Sequence, residues 1–535
     1  MKMLHGFSVR ARLALTFALP LLAAVLLLNG ASAPAHAQNN KTLVVAAVTT
    51  PKGLDPDFWV PGMIESIVNV YEGLTRYGRK MVDGKEVLDS DTIVPHFAES
   101  WTVSDDGTVY EFKLREGAKS PYGNEMTSAD VVWGWEKSIP QKRTGLFLRT
   151  VSQVETVEVI DRYRVRFKLK AANRIFLKVL TLYSPSVYDS VEVKKHTTEA
   201  DPWALEWISK NTAGFGAYHM ESLRAGEGAV FVANPGYVFD QPHFTRIVFR
   251  EVPSPATRVT LLKAGQVHWA NSVPIQQVKE LIADPNVKVE SFEGTGPAIL
   301  PMNPKFPPFD DIRIRKAMIH ATDFEAVNKA VFLGLGTRSR SFLDSVLPGY
   351  KETYLYEYDI AKAKQFLADA GHPDGIEATL EYSDLWWWEE GLAVQVKNSV
   401  AKAGIKLNLK RIPATEMLTR RAPGERSLPF FTYQTVPFVL DPGYALLLSA
   451  HSKGSNNVNG YITTELDALI DEIVIEQDDD KWLASIEKAQ QMIADDAVYI
   501  TTFRPGQHAV MSPCISGWTW RPVVFGTYWR DLKCE

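Results

Sequence analysis

The sequence predicts an α/β protein, because strand patterns and helix patterns follow one another along the chain. Over 101–114, apolar and polar residues alternate on both sides of a turn at Asp105-Asp106-Gly107, which predicts a β-hairpin. Thr127 and Asp130 then form a capping box ahead of an apolar face at helical spacing. The same order of strand and helix recurs farther along, so strands and helices are expected to share each core.

Later segments support this class. A strand pattern over 247–252 is followed by a helix pattern over 256–264. Asp359 precedes another helix pattern, which Gly371 ends. Residues 392–403 predict a further helix, and a strand is expected directly after it.

The length of the chain indicates how many domains to expect. With 535 residues, 45% of them hydrophobic, the chain is expected to divide into roughly three to four domains. Its formal net charge of −5 at pH 7 argues against nucleic acid as a partner and favours solubility.

The first 37 residues have the pattern of a secretory signal peptide. Lys2, Arg10 and Arg12 precede an apolar run over 13–28, and residues 35–37 (Ala-His-Ala) provide the small residues of a cleavage site. An uncleaved anchor is the alternative, although the run is short for a span of about 20 residues. No twin arginine precedes the run and no cysteine lies near the cleavage point. We therefore expect export by the general secretory route to the periplasm, without a lipid anchor.

The stretch over 93–138 contains a longer residue pattern than a hairpin and a helix alone require. Its positions are Ala98, Ser100, Trp101, Ser104, Asp106, Gly107, Tyr110, Phe112, Leu114, Arg115, Gly117, Gly123, Ala129, Asp130 and Val131. This pattern resembles a signature of the family 5 extracellular solute-binding proteins, the peptide- and nickel-binding receptors of ABC importers. Two positions depart from the usual signature, with Ser120 in place of Phe and Tyr122 in place of Asp.

Further matches extend the resemblance over residues 43–504. Leu54-Asp55-Pro56 and residues 70–74 (VYEGL) form a second pair of family motifs. Residues 310–317 resemble the family's D-x-R-V-R-x-A helix start, whereas the turn over 212–218 matches only loosely.

The resemblance implies the two-lobed periplasmic binding protein fold of the cluster C type, with a hinged cleft and an extra subdomain in lobe one. The implied bounds are 41–72, 190–290 and 500–535 for lobe I, 73–189 for the inserted subdomain and 291–499 for lobe II. Such a protein is expected to be a monomeric periplasmic receptor. It would capture a small organic solute and deliver it to an inner-membrane ABC permease.

A run of three tryptophans suggests a ligand-binding wall. Adjacent residues of an extended segment point in opposite directions, so Trp386, Trp387 and Trp388 cannot all face one side. We expect one or two of them to line the cleft, and the alternative is that all three are core residues. Trp59 and Val60 fall where the family places cleft-wall residues.

A second candidate segment extends from Tyr433 and Gln434 to Asp441. In the peptide receptors of the family, an Asp three residues ahead of an acidic-Pro pair captures the free amine of the ligand. Phe438 occupies that position here, ahead of Asp441-Pro442. A cation–π contact of about 0.5–2 kcal/mol replaces a charge-assisted hydrogen bond of about 1.5–3 kcal/mol, so ordinary peptides are disfavoured. A peptide-like, oligosaccharide or opine-like ligand stays open, and Asp441 has a structural turn role as its alternative.

The chain contains two cysteines, Cys514 and Cys534. In an oxidising compartment they are expected to form a disulfide that fixes the C-terminal tail, worth roughly 3 kcal/mol in the chain-entropy model. Two separate thiols are the alternative.

Sequence motifs for catalysis are absent. The sequence has no H-E-x-x-H, C-x-x-C, G-x-S-x-G or phosphate loop, and its 11 histidines show no i,i+4 pairing. We therefore expect no cofactor, no metal and no enzymatic activity. A secreted glycan hydrolase using Glu389 and Glu390 is the alternative from another class, but adjacent carboxylates rarely converge on one glycosidic bond.

Overall fold

The computed structural model describes residues 41–58, 63–82, 84–522 and 526–535. The signal peptide expected over 1–37 lies outside the described residues. Among the described helices, none combines the length and the apolar composition that a membrane crossing requires.

Strands and helices alternate through the described residues, as the sequence predicts. In chain order the strands are β1 Thr42–Ala47, β2 Thr75–Val82, β3 Lys85–Pro95, β4 Ala98–Val103, β5 Val109–Leu114, β6 Val154–Asp161, β7 Arg164–Leu169, β8 Tyr218–Arg224, β9 Gly228–Ala233, β10 Arg246–Glu251, β11 Trp269–Ala270, β12 Lys288–Phe292, β13 Ala298–Pro301, β14 Thr337–Arg338, β15 Ile376–Tyr382, β16 Ile405–Arg411, β17 Tyr433–Gln434, β18 Tyr499–Thr501, β19 Phe503–Arg504, β20 Gln507–Met511, β21 Ile515–Ser516 and β22 Lys533–Cys534.

The helices occupy the intervals between these strands. In chain order they are α1 Ile64–Val70, α2 Ser128–Gln141, α3 Thr144–Val151, α4 Phe176–Val179, α5 Ser190–Lys194, α6 Leu205–Ile208, α7 Pro255–Lys263, α8 Ile275–Leu281, α9 Ile312–His320, α10 Phe324–Val331, α11 Ile360–Asp369, α12 Glu389–Val400, α13 Ala414–Arg420, α14 Pro442–Ser449, α15 Thr464–Ile475 and α16 Asp479–Asp495.

The largest sheet of the described residues has seven strands in the order β12-β20-β11-β1-β10-β9-β8. Strand β1 lies inside it and pairs in parallel with β10 and β11. Its apolar run over 43–47 is buried along its whole length, as expected for a parallel strand covered on both faces. Because β20 also belongs to this sheet, the chain returns after the second-lobe region to the sheet that contains β1.

The predicted hairpin and capping box are confirmed in a separate four-stranded sheet, β4-β5-β7-β6. Trp101 pairs with Phe112 across β4 and β5, and Gly107 has φ +68° in the turn, a conformation that glycine adopts without strain. The backbone N–H of Thr127 donates to the Asp130 carboxylate at 2.7 Å, which closes the capping box that begins α2.

The region expected as the second lobe contains β13 to β19 and the helices packed on them. Strands β17, β13 and β18 form one small sheet and β15 with β16 a parallel pair. Two apolar cores, one around α9 to α12 and one around α15 and α16, fill this lobe. The exact lobe bounds stay a prediction.

The chain crosses between the seven-stranded sheet and the second lobe at 293–297 and again at 505–506. These two crossings touch: a Cβ built on Gly294 would lie 1.5 Å from the carbonyl oxygen of Pro505. The close approach requires glycine, since no side chain fits between the two backbones.

The C-terminal tail is fixed to its own sheet. Cys514 and Cys534 form a disulfide with their Cα atoms 4.7 Å apart, beside the antiparallel pair β21 and β22.

The crossing predicts a strong effect of Gly294→Ala. We expect the free energy of unfolding to fall by about 2 kcal/mol or more, because backbone must move to admit the methyl group. Gly391→Ala is the matched control, since its Cβ would meet nothing closer than 3.6 Å and alanine favours the helix by about 1 kcal/mol. Urea unfolding measures both, and equal stability of the two variants would contradict the tight crossing.

Candidate ligand-binding site

A cavity of about 370 Å³ opens between residues 142–184 and residues 438–456. The first segment belongs to the region expected as the inserted subdomain and the second to the second lobe. Aromatic and aliphatic side chains from both segments line it, among them Phe147, Leu148, Tyr183, Phe438, Tyr444 and Leu448. A concave, mostly apolar space between lobes is the usual setting of a small-molecule site.

Helix α14 brings the second lobe to the cavity. Asp441 begins the helix, because its carboxylate accepts the N–H of Tyr444 at 3.0 Å and Pro442 occupies the first turn. The same carboxylate forms an ion pair with Lys178 Nζ at 2.8 Å. Asp441 is buried, so it holds the two sides of the cavity together, and these contacts support its structural role.

Phe438 lies on the cavity wall, where it is half-buried and packs against an apolar core to which Tyr444 and Leu448 also belong. Tyr444 packs edge-to-face with Phe147, with ring centroids 6.2 Å apart. Aromatic contacts therefore join α3 to α14 across the cavity. Burial raises the pKa of Tyr444 far above its usual value, so its hydroxyl stays neutral.

A buried ion cluster contacts the cavity wall through Ser184. Lys137 Nζ lies 2.9 Å from Asp55 Oδ1 and 2.8 Å from Asp57 Oδ2. Ser184, which lines the cavity, donates to Asp57 Oδ1 at 2.6 Å. The cluster therefore joins α2, the loop over 54–58 and the cavity wall.

The charges in this cluster do not balance, because two carboxylates share one ammonium group. Burial raises the pKa of Asp55, and the neighbouring Asp57 adds to that shift against the attraction of Lys137. Burial opposes the charge of Lys137, but Asp57 and Asp55 together raise its pKa. The ammonium group therefore stays charged.

The turn between α2 and α3 places two cations at the cavity. Lys142 ends α2 in the left-handed conformation with φ 52°, and Arg143 precedes the first residue of α3. Both line the cavity, and the Arg143 guanidinium lies 4.8 Å from the ring centroid of Phe58. Neither residue is predicted from the sequence, because a basic pair after a helix pattern is usually a solvated turn.

The three tryptophans have different environments. Trp388 is 1% exposed in a core of the second lobe, whereas Trp387 is 53% exposed and contacts Phe332. Trp386 is half-buried. Among the described cavity residues none belongs to this run, and its role in ligand binding stays a prediction.

Glu389 fixes the loop that carries this run. Its buried carboxylate accepts the N–H groups of Ser383 and Trp386 at 2.8 and 2.9 Å, and the Thr432 hydroxyl donates to it as well. These bonds give Glu389 a structural role, whereas Glu390 is exposed.

Tyr433 and Gln434 lie in β17, close to the crossing between the lobes. Tyr433 is buried beneath Arg421, whose guanidinium is 4.7 Å from the ring centroid. Gln434 donates to the carbonyl of Gly296 at 2.9 Å and accepts from Trp388 Nε1 at 3.4 Å. Both are positioned beside the lobe connection rather than in the described cavity lining.

Two of the candidate residues, Trp59 and Val60, lie outside the described residues. Among the residues that the structure describes, no group of three or more His, Cys, Asp or Glu side chains is placed to hold a metal ion.

Comparison with known proteins gives the family. Residues 92–457 match the bacterial extracellular solute-binding proteins, family 5 Middle. The chain belongs to this family. It is 25% identical over 528 residues to heme-binding protein A of Haemophilus influenzae, covering 93% of both chains.

Solved structures show the same two-lobed fold. The periplasmic binding protein DppA of Helicobacter pylori, associated with an ABC transporter and in complex with the peptide STSA, has a TM-score of 0.78 at 22% identity. That match covers 92% of this chain and 98% of the other. MoaA of A. tumefaciens R10, in complex with mannopinic acid, has a TM-score of 0.75 at 23% identity, covering 92% and 99%. The resemblance drawn from sequence is confirmed, and the chain is a substrate-binding receptor of an ABC importer.

The different burial of two tryptophans predicts effects of different size for their substitution. Trp388→Ala is expected to lower the free energy of unfolding by about 3–5 kcal/mol, because it leaves a cavity in the core. Trp387→Ala is the matched control and is expected to change stability by about 1 kcal/mol or less, since half of its side chain is already in solvent. Urea unfolding of both variants measures the difference, and similar losses would show that the two environments are misassigned.

Proposed function

We propose that the cavity between residues 142–184 and 438–456 is the ligand site of this receptor. The main support for this proposal is the contact between Phe147 and Tyr444. These aromatic side chains come from two parts of the fold and line one space of about 370 Å³. A ligand that touches both sides favours the closed arrangement by its differential affinity for that arrangement.

The ligand is a small organic solute, peptide-like or of another class. Relatives of the same fold hold a peptide in one case and mannopinic acid in another, so the fold accepts different chemistry. Phe438 on the cavity wall offers no carboxylate to a ligand amine. The carboxylate of Asp441 already binds Lys178 and the N–H of Tyr444.

The chain acts in the periplasm as a monomer, after export through the general secretory route, and it releases the ligand to a membrane permease without chemical change. The family match and the signal-peptide pattern of residues 1–37 support this context.

Filling the cavity is expected to abolish capture of the native solute. Ser455 lines the cavity and is exposed, so Ser455→Trp can place an indole in the space without disturbing a core. Native mass spectrometry of protein taken directly from the periplasm is expected to show a small bound mass on the wild type and none on this variant.

Thr415→Trp is the matched control, since Thr415 is an exposed residue outside the cavity lining. It is expected to keep the bound mass. Retention of that mass by Ser455→Trp, with an unchanged melting temperature, would place the ligand site elsewhere.

A further inference from the structure

Among the described residues that line the cavity, the charged side chains are all of one sign. Lys142 and Arg143 are these charged residues, and the polar side chains beside them are hydroxyl or amide groups, such as Thr144 and Asn456.

Neighbouring cations are neutralised, whereas these two are not. Lys137 is paired with Asp55 and Asp57, and Lys178 with Asp441. Among the described residues, neither Lys142 nor Arg143 has an ion-pair partner, and the Arg143 guanidinium lies 4.8 Å from the ring centroid of Phe58. Both side chains are exposed, so the described lining presents positive charge to solvent beside its apolar surface, which favours the approach of an anion.

The backbone at Lys142 gives a second, independent observation. A φ of 52° at the end of α2 is the conformation in which glycine is normally found, because a Cβ is strained there. Residues with strained backbone conformations cluster at functional sites, so a strained residue at a cavity indicates a functional role. A lysine at this position keeps a charged side chain at the cavity at a conformational cost. Helix α3 also begins here without a side-chain cap, so its positive end adds to the same field.

We propose that this receptor selects an acidic solute, whose carboxylate or equivalent anion binds Lys142 and Arg143 while its apolar body packs between Phe147, Tyr183, Phe438 and Tyr444. A free amine on the solute is not required. This inference rests on the proposed function, since it assigns a ligand charge to the same cavity.

Three probes of matched shape distinguish recognition of a carboxylate from recognition of an amine. They are N-acetyl-Ala-Phe, which has an acid and no amine; Ala-Phe, which has both; and Ala-Phe amide, which has an amine and no acid. At equal concentration and neutral pH, the two acids are expected to raise the melting temperature of the protein and the amide is not. N-acetyl-Ala-Phe is expected to bind at least as tightly as Ala-Phe in calorimetry.

Variants of the two cations test the residues themselves. Lys142→Gly removes the charge and relieves the backbone strain, so folding is maintained while N-acetyl-Ala-Phe binds about tenfold more weakly. Arg143→Gln is expected to have a similar effect on affinity. Lys453→Gln removes a nearby exposed cation outside the lining and is expected to leave the affinity unchanged, which controls for the general field of the protein.

Equal responses to the acids and the amide, including no response to any of the three, overturn the proposal. So does unchanged affinity in both Lys142→Gly and Arg143→Gln. The proposed function is tested separately by the bound mass and Ser455→Trp. If that variant loses the bound mass while the acids show no advantage, the receptor site is correct and the inferred ligand charge is wrong.

Discussion

The buried contact of Lys137 with Asp55 and Asp57 is the interaction on which the candidate site depends. It connects a helix of the inserted region with a loop 80 residues earlier in the chain. Ser184 extends the cluster to the cavity wall. All three ionisable groups are buried, so loss of the ammonium would leave two carboxylates facing each other, a change that typically costs about 3–5 kcal/mol. The position of α2, and with it the turn at Lys142 and Arg143, follows from this cluster.

Helix α14 links the cavity to the connection between the lobes. Tyr444 and Leu448 line the candidate cavity and also a second space of about 40 Å³, which Gly296 and Asp344 border from the other side. The Asp344 carboxylate accepts the N–H of Gly296 within the first crossing, and burial raises the pKa of Asp344 to about 6. A shift of α14 caused by a ligand would therefore reach the crossing through direct contacts, without a long pathway.

Local sequence signals predicted local structure well. The hairpin at Gly107, the capping box of Thr127 and Asp130, and the tail cysteines each depend on residues close in sequence or on a pairing with few alternatives. The family motifs singled out Phe438, which lines the cavity. The cavity partners escaped prediction, because Lys137 meets Asp55 only after folding, and nothing near Lys142 or Arg143 in the sequence marks them as lining a cavity.

The tryptophan run shows the limit of composition as a guide to sites. Its unusual residues suggest a ligand wall, yet Trp388 fills a core and Trp387 is largely in solvent. The direction of each side chain is set by the start of α12 and by the Glu389 bonds that shape the loop. Those bonds involve Thr432, 43 residues away, so no pattern within the run encodes them.

Ligand charge and lobe closure are physically coupled in the inferred site. Closing the cavity removes water from Arg143 and Lys142, and desolvation of an unpaired cation is unfavourable. Without a ligand, this cost opposes closure. An anion placed between the lobes offsets it, so the same two residues that attract an acidic solute would also keep the empty receptor from closing. Selectivity and the switch between open and closed states would then arise from one pair of charges on a single turn.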